Sequence, residues 1–292
     1  MTTLKNKIDF IVLVSAKMAN ANGDPLNDNR PRTDYNGFGE MSDVCIKRKI
    51  RNRMQDLGHS IFVQMDERAD DGCTSLEKRA EKVLGKADGK KIDKNKYVKK
   101  ACESWLDVRT FGQVFAFGSK NDNEKKKNGD GVSVGVRGPV SIHQAVSISP
   151  VEIHSMQITK SVNGKEKEKR GSDTVGMKHF VRFGLYKIKG SINVQLAEKT
   201  GFSAEDVAVL KECLRTLFVN DASAARPDGS MEVVKLYWCE HNCKDGQYPA
   251  AKVHEQIKIT LKEGVLNPAA VEDYRITVEA LPDLSIETID GI

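Results

Sequence analysis

Three aspartates, Asp24, Asp28 and Asp34, share one short stretch with Arg30 and Arg32. Carboxylates spaced in this way can hold a divalent cation beside a phosphate backbone and assist strand cleavage. They also stand among Asn, Gly and Pro, where Asp makes turns by accepting hydrogen bonds from nearby backbone. The neighbours favour turns. A second cluster, Cys239, His241 and Cys243, offers metal-ligand atoms. A structural zinc needs four ligands, and no second pair lies close in sequence. The other histidines (His59, His143, His154, His179 and His254) fall into no motif. No phosphate-binding loop, nucleophile elbow, zinc-binding helix or dinucleotide fingerprint is present. The expectation is a chain with no catalytic residue, no metal and no cofactor.

The chemistry that stands out is cationic. Lys47, Arg48, Lys49, Arg51 and Arg53 crowd one segment, and no acidic residue lies between Asp43 and Asp56. Ile46, Ile50, Met54 and Leu57 recur there at helical spacing. Ser42 suits an N-cap, and Gly58 suits a C-terminal stop. The spacing predicts an amphipathic helix over 43–57 with one core face and one basic face. A merely solvated helix mixes both signs to gain pairs one turn apart, so this face is expected to meet an anion.

Net charge is only +5, but it is uneven. Residues 85–100 hold seven lysines against two aspartates, and residues 262–292 hold seven acidic residues against two basic ones. Such asymmetry points to a polyanion-binding face and an acidic face that could meet a basic neighbour. No stretch approaches the roughly 20 apolar residues of a membrane span. The start, MTTLKNKIDF, lacks a signal-peptide run, and the chain reads as cytoplasmic with no membrane partner.

These residues need elements to position them. Residues 8–16 form a short, β-branched, nearly continuous apolar run, expected as a buried central strand. The polar loop that follows, 18–41, is long enough to be functional. Residues 75–105 read as helical with a basic break near 86–91, and Tyr97 and Trp105 read as core aromatics. Residues 118–131 read as a mobile polar loop. Strands are expected over 132–136, 140–148 and 151–159. A long hairpin with a charged tip at 160–172 is expected over 153–185. A strand is expected over 188–196, then a helix capped by Ser203 with Asp206 as its capping-box partner. Strands at 232–238, 256–261 and 274–280 follow. The order is an α+β pattern compatible with a β-α-β-β-α-β core carrying insertions. RNA-recognition-motif domains use that core, but their aromatic strand pattern is missing here.

Several motifs in order carry a resemblance over nearly the whole chain. They are NANGDP (20–25), SDVCIKRKIRN (42–52), DVRTFGQVFA (107–116), VRGPVSI (136–142), SMQITKSVNG (155–164), MKHFVRFGLY (177–186) and NDASAARPDGSM (220–231). Together they resemble the RNA-binding backbone-subunit family of CRISPR surveillance (Cascade) complexes, in its type I-C form. The resemblance implies a hand-shaped, modified RNA-recognition-motif (ferredoxin-like) fold with a discontinuous palm. A helical finger insertion would occupy about 60–128 and a β-hairpin thumb about 153–185. Members polymerise head to tail on a guide CRISPR RNA, beside other Cascade subunits, and leave spacer bases free to pair with a target DNA strand. The protein then reads backbone and shape, and base pairing reads sequence.

The expected RNA contacts are Asn22, Arg30 and Arg32 in the first loop, and Lys47, Arg48, Arg51 and Arg53 on the helix. Arg137, Arg226 and the hairpin residues Met156, Arg170, Met177 and Lys178 complete the set. One of the two methionines is expected to wedge between bases, since methionine is flexible and polarisable. The alternative activity is a metal-dependent RNA endonuclease. Related type III backbone subunits use a loop aspartate after the first strand, where Asp24, Asp28 and Asp34 stand here.

Overall fold

A computed structural model describes residues 2–85, 93–117, 132–159 and 175–292. Strand β1 (Ile8–Ala19) is the centre of the molecule, and its first nine residues are buried. Short strands β2 (Gly23–Asp24) and β3 (Arg30–Pro31) fold the following loop into a small hairpin, and β4 (Phe38–Met41) returns to the main sheet. Helix α1 (Asp43–Asp56) starts at Ser42, whose Oγ accepts from the Cys45 amide at 3.3 Å. Ile46, Ile50 and Met54 are buried, as helical spacing requires, but Leu57 is 40% exposed, so the apolar stripe stops one turn early.

Helices α2 (Leu76–Leu84), α3 (Lys94–Ser104) and α4 (Leu106–Phe111) and the paired strands β5 (Gly112–Phe117) and β6 (Val132–Arg137) enclose a second core. Phe62, Tyr97, Trp105 and Phe115 meet there at ring separations of 4.8 to 6.5 Å. Tyr97 and Trp105 are thus core residues. Arg79 is buried against this core, donating to the Phe62 carbonyl at 3.0 Å and to Asp71 at 2.9 Å. The basic break near 86–91, with the seven-lysine run's first half, and the loop 118–131 lie outside the described residues.

The expected strand over 140–148 is two, β7 (Val140–Ile142) and β8 (Ala145–Pro150). Next come β9 (Ile153–Thr159) and the long β10 (Val175–Ile192). The expected strand over 188–196 stops at Ile192, and helix α5 (Val194–Thr200) takes its place. The reason is local: the Asn193 side chain accepts from the Leu196 amide at 2.8 Å, an N-cap that ends the strand. Helix α6 (Ala204–Arg215) begins with the expected capping box between Ser203 and Asp206.

Strand β11 (Met231–Glu240), helix α7 (Ala250–His254), the pair β12 (Ile257–Leu261) and β13 (Tyr274–Val278), and β14 (Ile286–Asp290) complete the described chain. Strand β14 is not among the expected strands, because its five residues are short of a clear pattern and half polar.

The main sheet runs β14-β11-β1-β10-β8-β4, antiparallel throughout. Alternate residues of β1 serve two cores, as strand geometry demands. Phe10, Val12, Val14 and Ala16 pack with α1 and α6, while Ile11 and Leu13 pack toward β12 and β13. Phe10 stacks on Trp238 at 5.6 Å and crosses Gly190 on the next strand. A Cβ at Gly190 would lie 2.2 Å from Phe10 Cζ, so that crossing requires glycine.

The acidic C-terminal stretch is less free than its composition suggests. Glu287 pairs with Lys211 at 2.6 Å, Glu279 with Lys258 at 2.5 Å, and Asp290 with Lys235. Its charge is partly met by lysines on α6, β11 and β12.

Candidate nucleic-acid interface

The loop after β1 is built by its own polar side chains. Asp24 accepts from the Leu26 amide at 3.3 Å and pairs with Arg32 at 3.2 Å. Asp34 accepts from the amides of Asn36 and Phe38, both at 2.8 Å. These are the turn roles that the neighbouring residues indicated. Asp28 sits exposed at φ +48°, in the left-handed region that Asp tolerates. Asn22 joins the loop to the helix, since its Oδ1 accepts from the Ser42 amide at 2.9 Å. The Arg30 guanidinium has no hydrogen-bond or ion-pair partner among the described residues.

The basic face of α1 differs from its sequence reading. Carboxylates absent from the segment arrive from elsewhere. Lys49, 3% exposed, pairs with Asp221. Arg51 donates to Asp107 at 2.8 Å, and Asp107 is itself buried and accepts from the amides of Phe62 and Val63. Arg53 is buried, donating to Thr216 at 3.1 Å and Asp56 at 2.9 Å. Lys47 meets Asp43 at 2.9 Å, one turn away. The expectation of an uncompensated cationic face therefore fails for Lys49, Arg51 and Arg53. Most of their charge holds α1 to the inserted unit, to α6 and to the 220–231 segment.

Arg48 is the exception. Its hydrogen-bond partner is the Asn52 side chain, at a long 3.5 Å. Burial, and then the like charge of Arg51, lower its guanidinium pKa. A half-buried, under-neutralised guanidinium is a ready anion contact.

Arg226 donates to Asp221 at 3.0 Å, so one carboxylate faces both Lys49 and Arg226. The backbone ties this segment to the β1 exit, the Asn20 amide donating to the Ala225 carbonyl at 2.8 Å. Arg32, Lys49 and Arg226 all act electrostatically on Cys45, but burial dominates and raises its thiol pKa. The structure thus gathers Asn22, Arg32, Lys49 and Arg226 around the start of α1. It does not bring Arg137 there. Arg137 lines a separate groove of about 710 Å³ with Lys99, Val136 and Lys199.

Strands β9 and β10 pair as a ribbon whose register sets Lys178 opposite Met156 and Met177 opposite Gln157. Directly opposed residues share a face and alternate residues switch faces. Met156 and Lys178 therefore project from one face and Met177 from the other. Both methionines are exposed, by 43% and 50%, and so are Ile158 and Val175. The two methionines cannot pack on each other. Lys178 lies over the Phe180 ring at 5.7 Å. The hairpin tip, with Arg170, lies outside the described residues.

The histidine and cysteine cluster is not assembled for a metal. His241 is buried, accepting from the Gln247 amide at 2.9 Å on Nδ1 and so donating from Nε2 to Asp9 at 2.8 Å. Burial alone would raise the Asp9 carboxyl pKa, but hydrogen bonds from Lys7, Ser191 and His241 outweigh it and hold the pKa low.

A CRISPR protein family, described as CRISPR-associated protein Cas7, matches residues 6–279 by its sequence profile. The chain belongs to the Cas7 family. A curated relative, the CRISPR-associated protein Cas7 of Haloferax volcanii, is 30% identical over 229 residues. That match covers 74% of this chain and spans 65% of the relative's length. Among solved structures, a chain of a "CRISPR RNA-guided surveillance complex, pre-nicking" superposes with a TM-score of 0.52. It is 14% identical, with 85% of this chain and 82% of that chain covered, a likeness of fold. This Cas7-family chain carries its cations and its ribbon on one mixed α/β scaffold with a large antiparallel sheet. Its sequence had no local signal for Asp107 and Asp221, which come from 56 and 172 residues away. Tyr35, an aromatic in the polar loop after β1, is fully exposed.

Proposed function

We propose that this chain is the guide-RNA-binding backbone subunit of a type I-C CRISPR surveillance complex. Copies of it polymerise head to tail along the guide and present spacer bases to the target DNA strand, without catalysis. The observation that carries the reading is the family match across residues 6–279. The ribbon supports it, because this two-stranded ribbon exposes Met156, Ile158, Val175 and Met177 on its two faces, with no hydrophobic cover among the described residues.

In this reading the palm is a modified RNA-recognition fold. The strand order β11-β1-β10-β8, with α1 and α6 on one face, supports a β-α-β-β-α-β core. The fingers are the inserted unit, about 60–128 with β6 added because Val134 and Val136 belong to its core. The thumb is the hairpin at about 153–185. Arg48, Arg30, Arg32, Lys47, Asn22 and Arg226 contact phosphates. Arg51 and Arg53 position α1, and their part in RNA binding is indirect. Arg137 and Arg170 contact RNA or a neighbouring copy beyond the α1 region.

Turn duty for Asp24 and Asp34 weighs against the endonuclease reading. The deciding experiment co-expresses the chain with its partner subunits and a CRISPR array, then sequences the co-purified nucleic acid. Protected guide RNA of uniform length supports the proposal, and recovery of the complex free of RNA overturns it.

A further inference from the structure

We infer that Tyr35 is a stacking seat for an unpaired nucleobase at the root of the ribbon, an inference that rests on the RNA-binding reading above. Tyr35 is fully exposed, whereas most tyrosines bury the ring and wet only the hydroxyl. Its backbone is held firmly. The Asp34 amide donates to the Phe38 carbonyl at 2.9 Å, and the Asp34 carboxylate closes the turn from inside. Gly37 takes φ +83°, which the turn requires.

The turn is also stitched to the ribbon's root. The Val151 amide donates to the Gly37 carbonyl at 2.9 Å, and Phe38 pairs with Pro150. Ile153, where β9 begins, is two residues beyond Val151. An aromatic ring therefore stands in solvent on a turn tied to the place where the ribbon leaves the sheet, and the ribbon carries exposed Met156 and Ile158. Arg30, whose guanidinium is unpartnered among the described residues, belongs to the same loop and supplies it with a cation for the RNA backbone. An exposed aromatic face in a loop that also carries a cation suits a single unstacked base without regard to its identity. A guide that must accept any sequence needs that tolerance.

The test uses the full chain bound to single-stranded RNA substituted with 5-iodouridine, irradiated and mapped by mass spectrometry. Crosslinks are expected on the peptide holding Tyr35, retained in Tyr35→Phe and lost in Tyr35→Ala and Tyr35→Leu. The affinity of those last two variants for RNA should fall about fivefold or more, about fivefold being the low end of one lost base stack, with an unchanged melting temperature. RNA bound normally with crosslinks only elsewhere overturns the stacking seat and leaves the RNA-binding reading standing. Failure of the wild-type chain to bind RNA, alone or in its complex, overturns that reading itself. Sedimentation without RNA supplies the other arm. Self-association lost in Tyr35→Ala but kept in Tyr35→Leu would make the turn a protein-docking contact and overturn the inference.

Discussion

Arg48 and Arg51 stand one turn apart on α1 and have opposite surroundings. Arg51 neutralises the buried Asp107, whereas Arg48 has a single long hydrogen bond to Asn52. Their replacement should therefore fail in different assays. Arg51→Ala strands a buried carboxylate and should destabilise the fold by about 3–5 kcal/mol, read by urea or thermal unfolding. Arg48→Ala should leave stability near wild type and weaken RNA binding alike for all sequences. Its log–log salt slope should be shallower by about 0.7, one lost phosphate contact on a single strand. Equal salt slopes for wild type and Arg48→Ala would remove Arg48 from the interface. The cluster of cations was legible in the sequence, because it is local. Which of them are free was not, because the carboxylates that meet Lys49 and Arg51 come from the segment after α6 and from α4.

At the scale of elements, the inserted unit and the ribbon make separate predictions. The Arg79 guanidinium, by hydrogen bonding, holds the Asp71 carboxyl pKa down at about 2, below the usual 3.8. A carboxylate with a depressed folded-state pKa stabilises above its unfolded value and loses that contribution as protons bind. The inserted unit should therefore weaken between about pH 4 and pH 2. Asp71→Asn should flatten that part of the melting-temperature profile, and an unchanged profile would sink the assignment. On the ribbon, Met156 shares its face with Lys178, while Met177 faces the other way. Met156→Ala should reduce RNA affinity several-fold more than Met177→Ala, and neither should shift the melting temperature, since both side chains are exposed. Equal losses from the two would mean that both faces meet RNA. The helix, the strands and the capping box were readable from period and cap residues. Helix α5 was not, because the apolar residues of 194–197 fit either period and one Asn193 hydrogen bond decides.

At the scale of the whole molecule, the expectation is a filament whose length follows its RNA. Doubling the RNA length should about double the copies bound, read by mass photometry or electron microscopy, and a fixed particle size would contradict head-to-tail growth. The same particles, given magnesium and labelled complementary RNA, should leave that RNA uncut. Site-specific cutting lost in Asp24→Ala, Asp28→Ala or Asp34→Ala would move the chain to the endonuclease reading. With Asp24 and Asp34 tied into turns, those substitutions are expected to perturb the loop and RNA binding instead.

By itself the sequence determined what depends on neighbours along the chain. A nine-residue apolar run makes a central strand, Ser42 and Ser203 start helices, and Asp24 and Asp34 make turns. The ordered motifs likewise pointed to the family that the comparison established. Tertiary structure decided what depends on residues far apart. It paired the α1 cations with Asp107 and Asp221, set Met156 and Met177 on opposite faces through the β9–β10 register, and pinned the Tyr35 turn to the ribbon's root. The physical reason is range. Caps and strand periods act within a few residues, whereas charge compensation and sheet register depend on groups that meet only after the chain has closed on itself.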